Sequence, residues 1–325
     1  MLLSAFTTLS VLATLSSLPV ALGGDAWADT YGGYPDPAFA GVATFAHLDH
    51  QRCLDNPDLP LDLAIIGIPY DSAVTFRPDE LGARFGPYGL RSGSRRQATA
   101  RGYSQTLGIN PYDGKLSVLD CGDVPVIPND PAVAIDQVRA AYSSLLSRNV
   151  VSPGRMNDLG YAKGLDGKFH PRMVTLGGDH TIGPADLDDD VTAGFQLIHA
   201  FDIDDLGVPE VVRRIKQRIG DSPVVISLDV DVMDPSTAPA TGTPESGGWT
   251  SRELRRIIQS LQGLNVVAFD IVELSPAYDT NAEISAIAAA DCAYDFLCLY
   301  ALGTDAKLVG EEEDLVIQSS SHQEL

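Results

Sequence analysis

The feature that most constrains the fold of this chain is an alternation of short apolar segments with longer segments of helical period. The apolar segments are rich in Val, Ile and Leu and lack a polar residue at every second position, which is typical of parallel strands buried on both faces. The predicted strands are 63–68, 116–119, 173–176, 196–201, 224–228 and 266–271, and the predicted helices are 131–147, 209–219, 251–261 with Thr250 as N-cap, and 282–299. The sequence therefore predicts a three-layer α/β/α domain around a mostly parallel sheet.

Composition narrows the class of protein further. Hydrophobic residues make up 44% of the 325 residues, enough to build a core, so a wholly disordered chain is excluded. The formal net charge of −22 argues against nucleic acid and anionic membranes as partners, because both are polyanions, and it suits a cationic ligand. Four cysteines are too few for a disulfide scaffold, and their pairing cannot be deduced from the sequence.

The two ends of the chain differ from the body in composition. Residues 1–22 carry no charged side chain, Pro19 interrupts them, and Ala21 and Gly23 supply small residues where a signal peptidase cleaves. We expect a signal peptide at 1–23 and hence a secreted protein, with an N-terminal membrane anchor as the alternative. We expect no other stretch to be apolar enough to span a membrane. A single domain is predicted over 24–308, followed by a solvated acidic tail over 309–325.

Polar side chains follow three of the predicted strands at the end where ligands bind in parallel sheets. His180 follows the strand at 173–176, Asp229 and Asp231 follow the strand at 224–228, and Glu273 follows the strand at 266–271. The strand period of two places Asp229 and Asp231 on one face, about 7 Å apart, where a divalent cation would relieve their repulsion. Carboxylates combined with histidine suit Mn²⁺ or a similar metal. The alternatives are a loop whose acids cap backbone N–H groups and a purely structural histidine.

Several motifs together resemble the ureohydrolase family of arginases and agmatinases, and most closely the secreted fungal agmatinases. They are Gly-Gly-Asp-His at 177–180, Ser-x-Asp-x-Asp-x-x-Asp-Pro at 227–235, Glu-Leu-Ser-Pro at 273–276 and Gly-Ala-Arg-Phe-Gly-Pro at 82–87. The resemblance implies a three-layer α/β/α fold with an eight-stranded parallel sheet. It also implies hydrolysis of a guanidinium group to urea and an amine by water activated between two Mn²⁺ ions.

Residue by residue, the resemblance implies that His180, Asp229 and Asp231 are metal ligands and that Glu273 holds the guanidinium of a small cationic substrate. The family takes three further metal ligands from an Asp-Ala-His-x-Asp motif, and this chain has no such motif. We therefore expect an internal deletion near 181–188, a sheet short of two strands, and an incomplete metal site. Strands 196–201 and 224–228 would then pair directly, and one of the two aspartates would titrate at a raised pH.

Two other groups of residues have the composition of a metal site. His199, Asp202 and Asp204 would replace the lost ligands if they lay together at a strand end, although the segment more closely resembles a later strand of the family. His47 and His50 lie three residues apart, but their neighbours resemble ordinary agmatinase sequence. Neither group is the favoured metal site.

The expected activity is that of an agmatinase, which converts agmatine and water to putrescine and urea, impaired here by the loss of three metal ligands. The first alternative is a catalytically dead ureohydrolase-like protein that binds a ligand or an assembly partner. The second is a guanidinobutyrase or another guanidino-compound hydrolase. We expect no nucleic acid partner, no membrane contact after signal cleavage, and possible homo-oligomer formation, as is usual in the family.

Overall fold

The computed structural model describes residues 39–71, 82–97, 102–182 and 196–304. The predicted signal peptide at 1–23 and the acidic tail at 309–325 lie outside the described residues. Most of the predicted deletion junction near 181–188 also lies outside them, because residues 183–195 are not described.

Five parallel strands of the described residues form one sheet in the order β2-β1-β3-β5-β4. They are β1 (Leu63–Gly67), β2 (Val118–Asp123), β3 (Arg172–Leu176), β4 (Val224–Asp229) and β5 (Val266–Val272). The three central strands are almost entirely buried, as the unbroken apolar segments predict. The parallel α/β architecture expected from the sequence is confirmed.

Six α-helices of the described residues pack on this sheet. They are α1 (Gly86–Ser94), α2 (Pro131–Leu146), α3 (Pro153–Asp158), α4 (Asp202–Ile219), α5 (Ser251–Ser260) and α6 (Ile284–Leu302). Alternate strand residues enter two separate apolar clusters, with Leu63 and Ile65 in one and Ala64 and Ile66 in the other. Helix α2 contributes to the second cluster and the other five helices to the first, so the sheet lies between two helical layers.

The predicted strand at 196–201 is wrong. Residues 196–199 have no regular structure, and α4 begins at Asp202, seven residues before the predicted start at Pro209. Three aspartates in the first turn of α4 favour a helix N-terminus, and the Asp202 carboxylate accepts a hydrogen bond from the backbone N–H of His199. Gly207, at φ 72° and ψ 154°, interrupts the helix two residues before Pro209.

The predicted pairing of 196–201 with 224–228 is therefore also wrong. Strand β4 pairs with β5, and no other described strand lies against it. Along β4, Val225 is 53% exposed, which is unusual for a strand of a parallel sheet. The sheet thus has an apolar face at β4 that the described helices leave partly open.

Helix α6 corrects the expectation that only the N-terminus is apolar enough to span a membrane. This 19-residue helix passes that test by length and composition, the single helix of the described residues to do so. Within the protein, however, 78% of its apolar window is buried, largely against the sheet through residues such as Phe296, which stacks on Phe269 of β5. Core packing accounts for the apolar composition of α6.

A disulfide joins Cys53 to Cys121, and thereby ties the segment before β1 to strand β2. Cys292 and Cys298 of α6 are free and buried. Next to Cys121, Asp120 is fully buried and accepts two hydrogen bonds from the Arg91 guanidinium at 2.8 and 2.9 Å. The Asp120 carboxylate therefore anchors α1 to β2 and has a structural role.

Candidate functional site

The carboxyl ends of β3, β5 and β4 lie side by side and bring the four predicted site residues to one edge of the sheet. His180 begins a short 3₁₀ turn after β3, Asp229 ends β4, and Glu273 directly follows β5. Asp231 lies in the 3₁₀ turn Val230–Val232 that follows Asp229. The strand order places all four together although 93 residues separate the first from the last.

The loop that carries His180 can lie against the backbone of Tyr70 only because residue 178 is a glycine. A Cβ atom at Gly178 would lie 1.7 Å from the backbone oxygen of Tyr70, so no other residue fits without a backbone shift. The Tyr70 carbonyl also accepts a hydrogen bond from the N–H of Asp179 at 2.8 Å. This close contact between two loops fixes the position of His180 beside the ends of β4 and β5.

His180 is the centre of the site's hydrogen bonds. Its Nδ1 lies 2.8 Å from Asp229 Oδ2, and its Nε2 lies 3.2 Å from Ser227 Oγ. Its backbone N–H donates to Glu273 Oε1 at 2.6 Å. The hydrogen bond to Asp229 is the main cause of a raised pKa for His180, since it favours the charged imidazolium.

Asp231 has the perturbed titration expected of one member of the aspartate pair. Its backbone N–H donates to Asp229 Oδ1 at 3.1 Å, and its Oδ2 accepts a hydrogen bond from Thr243 Oγ1 at 2.8 Å. Burial first, and then repulsion by Asp229, raise the pKa of Asp231 to about 7. The direction agrees with the raised titration expected for one of the two carboxylates.

Glu273 has a backbone conformation that is uncommon for a residue with a side chain. Its φ is 64°, in the left-handed region, and its N–H donates to the carbonyl of Gly178 at 2.9 Å. The sharp turn at the end of β5 directs the chain toward the loop that carries His180. Strained backbone of this kind is concentrated at functional sites, where the surrounding contacts hold it in place.

Asp270 belongs to the same hydrogen-bonded group and is not among the site residues predicted from the sequence. It is 6% exposed, and Ser227 Oγ donates to its Oδ1 at 2.5 Å, so that Ser227 connects it to His180. Burial raises the pKa of Asp270 to about 6. A signal was present in the sequence, because a lone carboxylate within the apolar run 266–272 is unusual in a buried strand.

The residues present do not fit a two-metal centre. The described residues contain no group of three His, Cys, Asp or Glu side chains arranged to hold a metal ion. Of the three predicted ligands, His180 bonds through Nδ1 to Asp229, and the Asp231 carboxylate accepts a hydrogen bond from Thr243.

The two other candidate metal groups are not metal sites within the described residues either. Asp202 and Asp204 lie in the first turn of α4, where Asp202 bonds to the backbone of His199. His47 Nε2 lies 3.1 Å from the backbone oxygen of Arg95, which gives that histidine a structural partner.

In chemical terms the site is a cluster of carboxylates with one histidine. Asp229, Asp231 and Glu273 lie around His180, with Asp270 behind it. Carboxylates so placed can hold a planar organic cation through charge-assisted hydrogen bonds.

Comparison with known proteins identifies a family. The model of the arginase family matches residues 61–189 and, as a second segment, residues 183–298. A protein of Schizosaccharomyces pombe, provisionally named agmatinase 1, is 35% identical over 336 aligned residues that cover 81% of this chain and 83% of the relative. The aligned part of this chain is 81% of 325 residues, or about 263 residues. The alignment is 336 positions long, so about 70 positions of the relative stand opposite gaps in this chain.

Two further proteins are similar to this chain. The agmatinase of Chromobacterium violaceum is 32% identical over 312 residues, covering 83% of this chain and 92% of the relative. The solved structure of proclavaminate amidino hydrolase from Streptomyces clavuligerus superposes with a TM-score of 0.63 at 27% identity, covering 82% of this chain and 99% of that one.

Proposed function

Because this chain belongs to the arginase family, we propose that it is an agmatinase-type amidinohydrolase whose turnover is impaired by an incomplete metal site. The names of the relatives from S. pombe and C. violaceum support agmatine as the ancestral substrate. The reaction would be agmatine plus water to putrescine plus urea. The net charge of −22 and the carboxylates of the site suit this cationic substrate.

Glu273 is the residue of this chain best placed to hold the substrate. Its carboxylate lies at the carboxyl edge of the sheet, and the His180 N–H orients one of its oxygens. A guanidinium ion presents planar N–H groups that match a carboxylate in two parallel hydrogen bonds. We infer that Glu273 binds the guanidinium group whether or not hydrolysis follows.

The absence of the Asp-Ala-His-x-Asp motif carries the proposal of impaired turnover. In the family two Mn²⁺ ions activate the attacking water, and such activation depends on metal bound by a full set of ligands. Here Nδ1 of His180 bonds to Asp229, the Asp231 carboxylate accepts a hydrogen bond from Thr243, and the Asp-Ala-His-x-Asp motif is absent from the sequence. The two-segment family match and the unmatched positions of the S. pombe relative support a deletion near 181–188.

Two alternatives differ in what the site does. A catalytically dead protein would bind a guanidinium compound, or an assembly partner, without releasing urea. A hydrolase for another guanidino compound, such as a guanidinobutyrase, is supported by the match to an amidino hydrolase whose named substrate is proclavaminate.

We also propose that the protein is secreted, with membrane anchoring at the N-terminus as the alternative. The uncharged residues 1–22 support this, as does the disulfide between Cys53 and Cys121, since disulfides persist mainly in oxidising compartments.

The experiment that tests the proposal measures metal content and urea release on the same purified chain. The protein is loaded with Mn²⁺, desalted and assayed for bound metal, and then for urea release from agmatine and from 4-guanidinobutyrate. We expect well under two Mn²⁺ per chain and little or no urea from either compound. Two bound Mn²⁺ with normal turnover would contradict the proposal.

Calorimetry with agmatine separates an impaired enzyme from a protein without a guanidinium site. We expect the chain to bind agmatine and Glu273→Gln to bind it at least tenfold more weakly, because a neutral amide loses the charge-assisted hydrogen bonds. Glu245→Gln, which removes an acid outside the hydrogen-bonded group, is the matched control for charge. Equal binding by Glu273→Gln and the unaltered chain would exclude Glu273 as the guanidinium residue.

A further inference from the structure

A groove of about 410 Å³ opens on the side of the sheet that faces α2, and its end at Asp270 lies behind His180. Its floor is formed by β4 and β5, including Val225 and Ala268, and Leu146 of α2 forms part of one wall. Val225 is 53% exposed there. The volume lies within the range of small-molecule sites, which are mostly apolar with a few placed polar groups.

One end of the groove contains a buried carboxylate. Asp270 lines it and is 6% exposed. Its Oδ1 accepts the hydrogen bond from Ser227, while its Oδ2 has no hydrogen-bond partner among the described residues. Likewise, no Lys, Arg or His of the described residues forms an ion pair with Asp270. A carboxylate in this position has unused capacity to accept hydrogen bonds from a cation.

The other end of the groove carries positive charge. Lys163, which precedes β3, and Arg172, which begins it, line the groove there together with Asn265 next to β5. His170 also lines this end, but it pairs with Asp166 at 3.0 Å. Asn265 and Asp270 are five residues apart along an extended strand, a distance of roughly 16 Å. This separation exceeds the electrostatic screening length of about 8 Å at physiological ionic strength. Each end of the groove therefore interacts mainly with the part of a ligand that lies next to it.

We propose that this groove binds an organic ammonium ion carried on an apolar chain, with the ammonium group at Asp270 and the chain along Val225 and Ala268. The charge of Asp270 selects a cation, and the apolar floor selects an aliphatic body. The positive groups at the far end disfavour a second ammonium at the other end of the chain. The groove therefore takes a monoamine in preference to a diamine of the same length. The groove shares Asp270 with the hydrogen-bonded group of His180, but Glu273, the proposed guanidinium residue, does not line it.

Binding of n-octylamine to the full chain at 150 mM salt tests the proposal, with calorimetry as the measurement. The comparison ligands are 1-octanol, which has the chain without the charge, and 1,8-diaminooctane, which has a second ammonium. We expect saturable binding of n-octylamine at one site, and binding of each comparison ligand at least tenfold weaker.

Three variants locate the site. Val225→Trp fills the groove from a half-exposed position, and Val151→Trp is its matched control, because Val151 is 47% exposed and lies outside the groove. Asp270→Asn keeps the shape of the side chain and removes its charge. We expect Val225→Trp and Asp270→Asn each to weaken n-octylamine binding at least tenfold, and Val151→Trp to leave it unchanged.

Unchanged binding in Val225→Trp would overturn the proposal, since the amine would then be bound elsewhere on the acidic surface. Equal affinity for 1-octanol would also overturn it, because Asp270 would then contribute nothing. Urea denaturation of each variant shows whether it is folded. If a variant does not fold, the comparison of n-octylamine with 1-octanol and 1,8-diaminooctane on the unaltered chain still tests the proposal.

Discussion

At the scale of single residues, the site depends on close contacts that only particular side chains permit. Gly178 lies against the backbone of Tyr70, so the two loops beyond β1 and β3 can touch. Glu273 adopts a left-handed backbone that the neighbouring hydrogen bond to Gly178 supports. Each of these features is local, yet together they determine where His180 lies.

We predict that Gly178→Ala destabilises the protein by about 3 kcal/mol or more, because the new Cβ would lie 1.7 Å from Tyr70 O and 2.7 Å from Tyr70 N. Gly154→Ala is the control, since Gly154 lies in helix α3 with no atom within 4 Å of an added Cβ. The control is expected to be neutral or stabilising by up to about 1 kcal/mol. Urea denaturation midpoints measure both, and equal midpoints would show that the loop contact is not tight.

At the scale of secondary-structure elements, N-cap residues help to determine where helices begin. The predicted N-cap Thr250 is confirmed, and with Glu253 it forms a capping box in which each side chain bonds the other's backbone N–H. By contrast, Ser152 precedes α3 without a side-chain cap hydrogen bond. The two positions therefore allow a cap to be compared with a similar residue that does not cap.

Thr250→Ala is expected to cost about 1 kcal/mol of unfolding free energy, because the Glu253 N–H would lose its acceptor. Ser152→Ala is expected to cost less than about 0.5 kcal/mol, as is usual for surface substitutions. The measurement is again the urea midpoint. An equal loss in both variants would mean that the capping box adds nothing to α5.

A second prediction at this scale concerns the link between α2 and β3. His170 Nδ1 lies 2.8 Å from the carbonyl of Leu146 at the end of α2, and its Nε2 lies 3.0 Å from Asp166. The Leu146 carbonyl and, next, Asp166 raise the pKa of His170 above its usual 6.5. Because the folded pKa is raised, the stabilisation is fully present below the unfolded value and is lost as the pH rises through the folded value.

His170→Gln is therefore expected to lower the urea midpoint more at pH 5.5 than at pH 8. The change is measured as the difference between variant and unaltered chain at each pH, so that other titrating groups cancel. A difference that is constant across this range would contradict a charged His170 in the folded state.

At the scale of the whole molecule, the disulfide joins distant parts of the chain. Cys53 and Cys121 are 68 residues apart, and closing a loop of that length removes about 4 kcal/mol of unfolded-state entropy in the chain-entropy model. The bridge also joins β2, next to the Asp120 that binds Arg91, to the segment before β1. It thus stabilises the edge of the sheet opposite to β4.

We predict that the unfolded, non-reduced protein has two reactive thiols out of four cysteines, and four after reduction. The double variant Cys53→Ala, Cys121→Ala is expected to lose about 4 kcal/mol relative to the oxidised protein and to be insensitive to a dithiol reductant. Four reactive thiols before reduction would show that the bridge does not form.

Much of the fold was predictable from residue patterns alone. Strands β1, β3, β4 and β5 lie within two residues of their predicted bounds, because continuous apolar runs of this length are typical of buried parallel strands. The segment 196–201 has a similar composition but forms no strand, since it lacks a described neighbour to pair with and three aspartates favour helix at its end. Strand formation depends on pairing, which local sequence does not report.

The candidate site was predictable to a similar degree. His180, Asp229, Asp231 and Glu273 follow strand ends, and parallel topology brings such ends together whatever their separation in sequence. The hydrogen bonds among them were not predictable, nor was the role of Asp270, since they depend on side-chain directions that no residue pattern contains.

The sequence by itself determined the fold class, the family and the absence of the Asp-Ala-His-x-Asp motif, because periodicity and motifs are properties of the chain. Only the tertiary structure decided that β4 lies at a sheet edge with an apolar face partly open, that Cys53 pairs with Cys121, and that His180 bonds to Asp229. These are contacts between residues distant in sequence, and they depend on the packing of the whole domain.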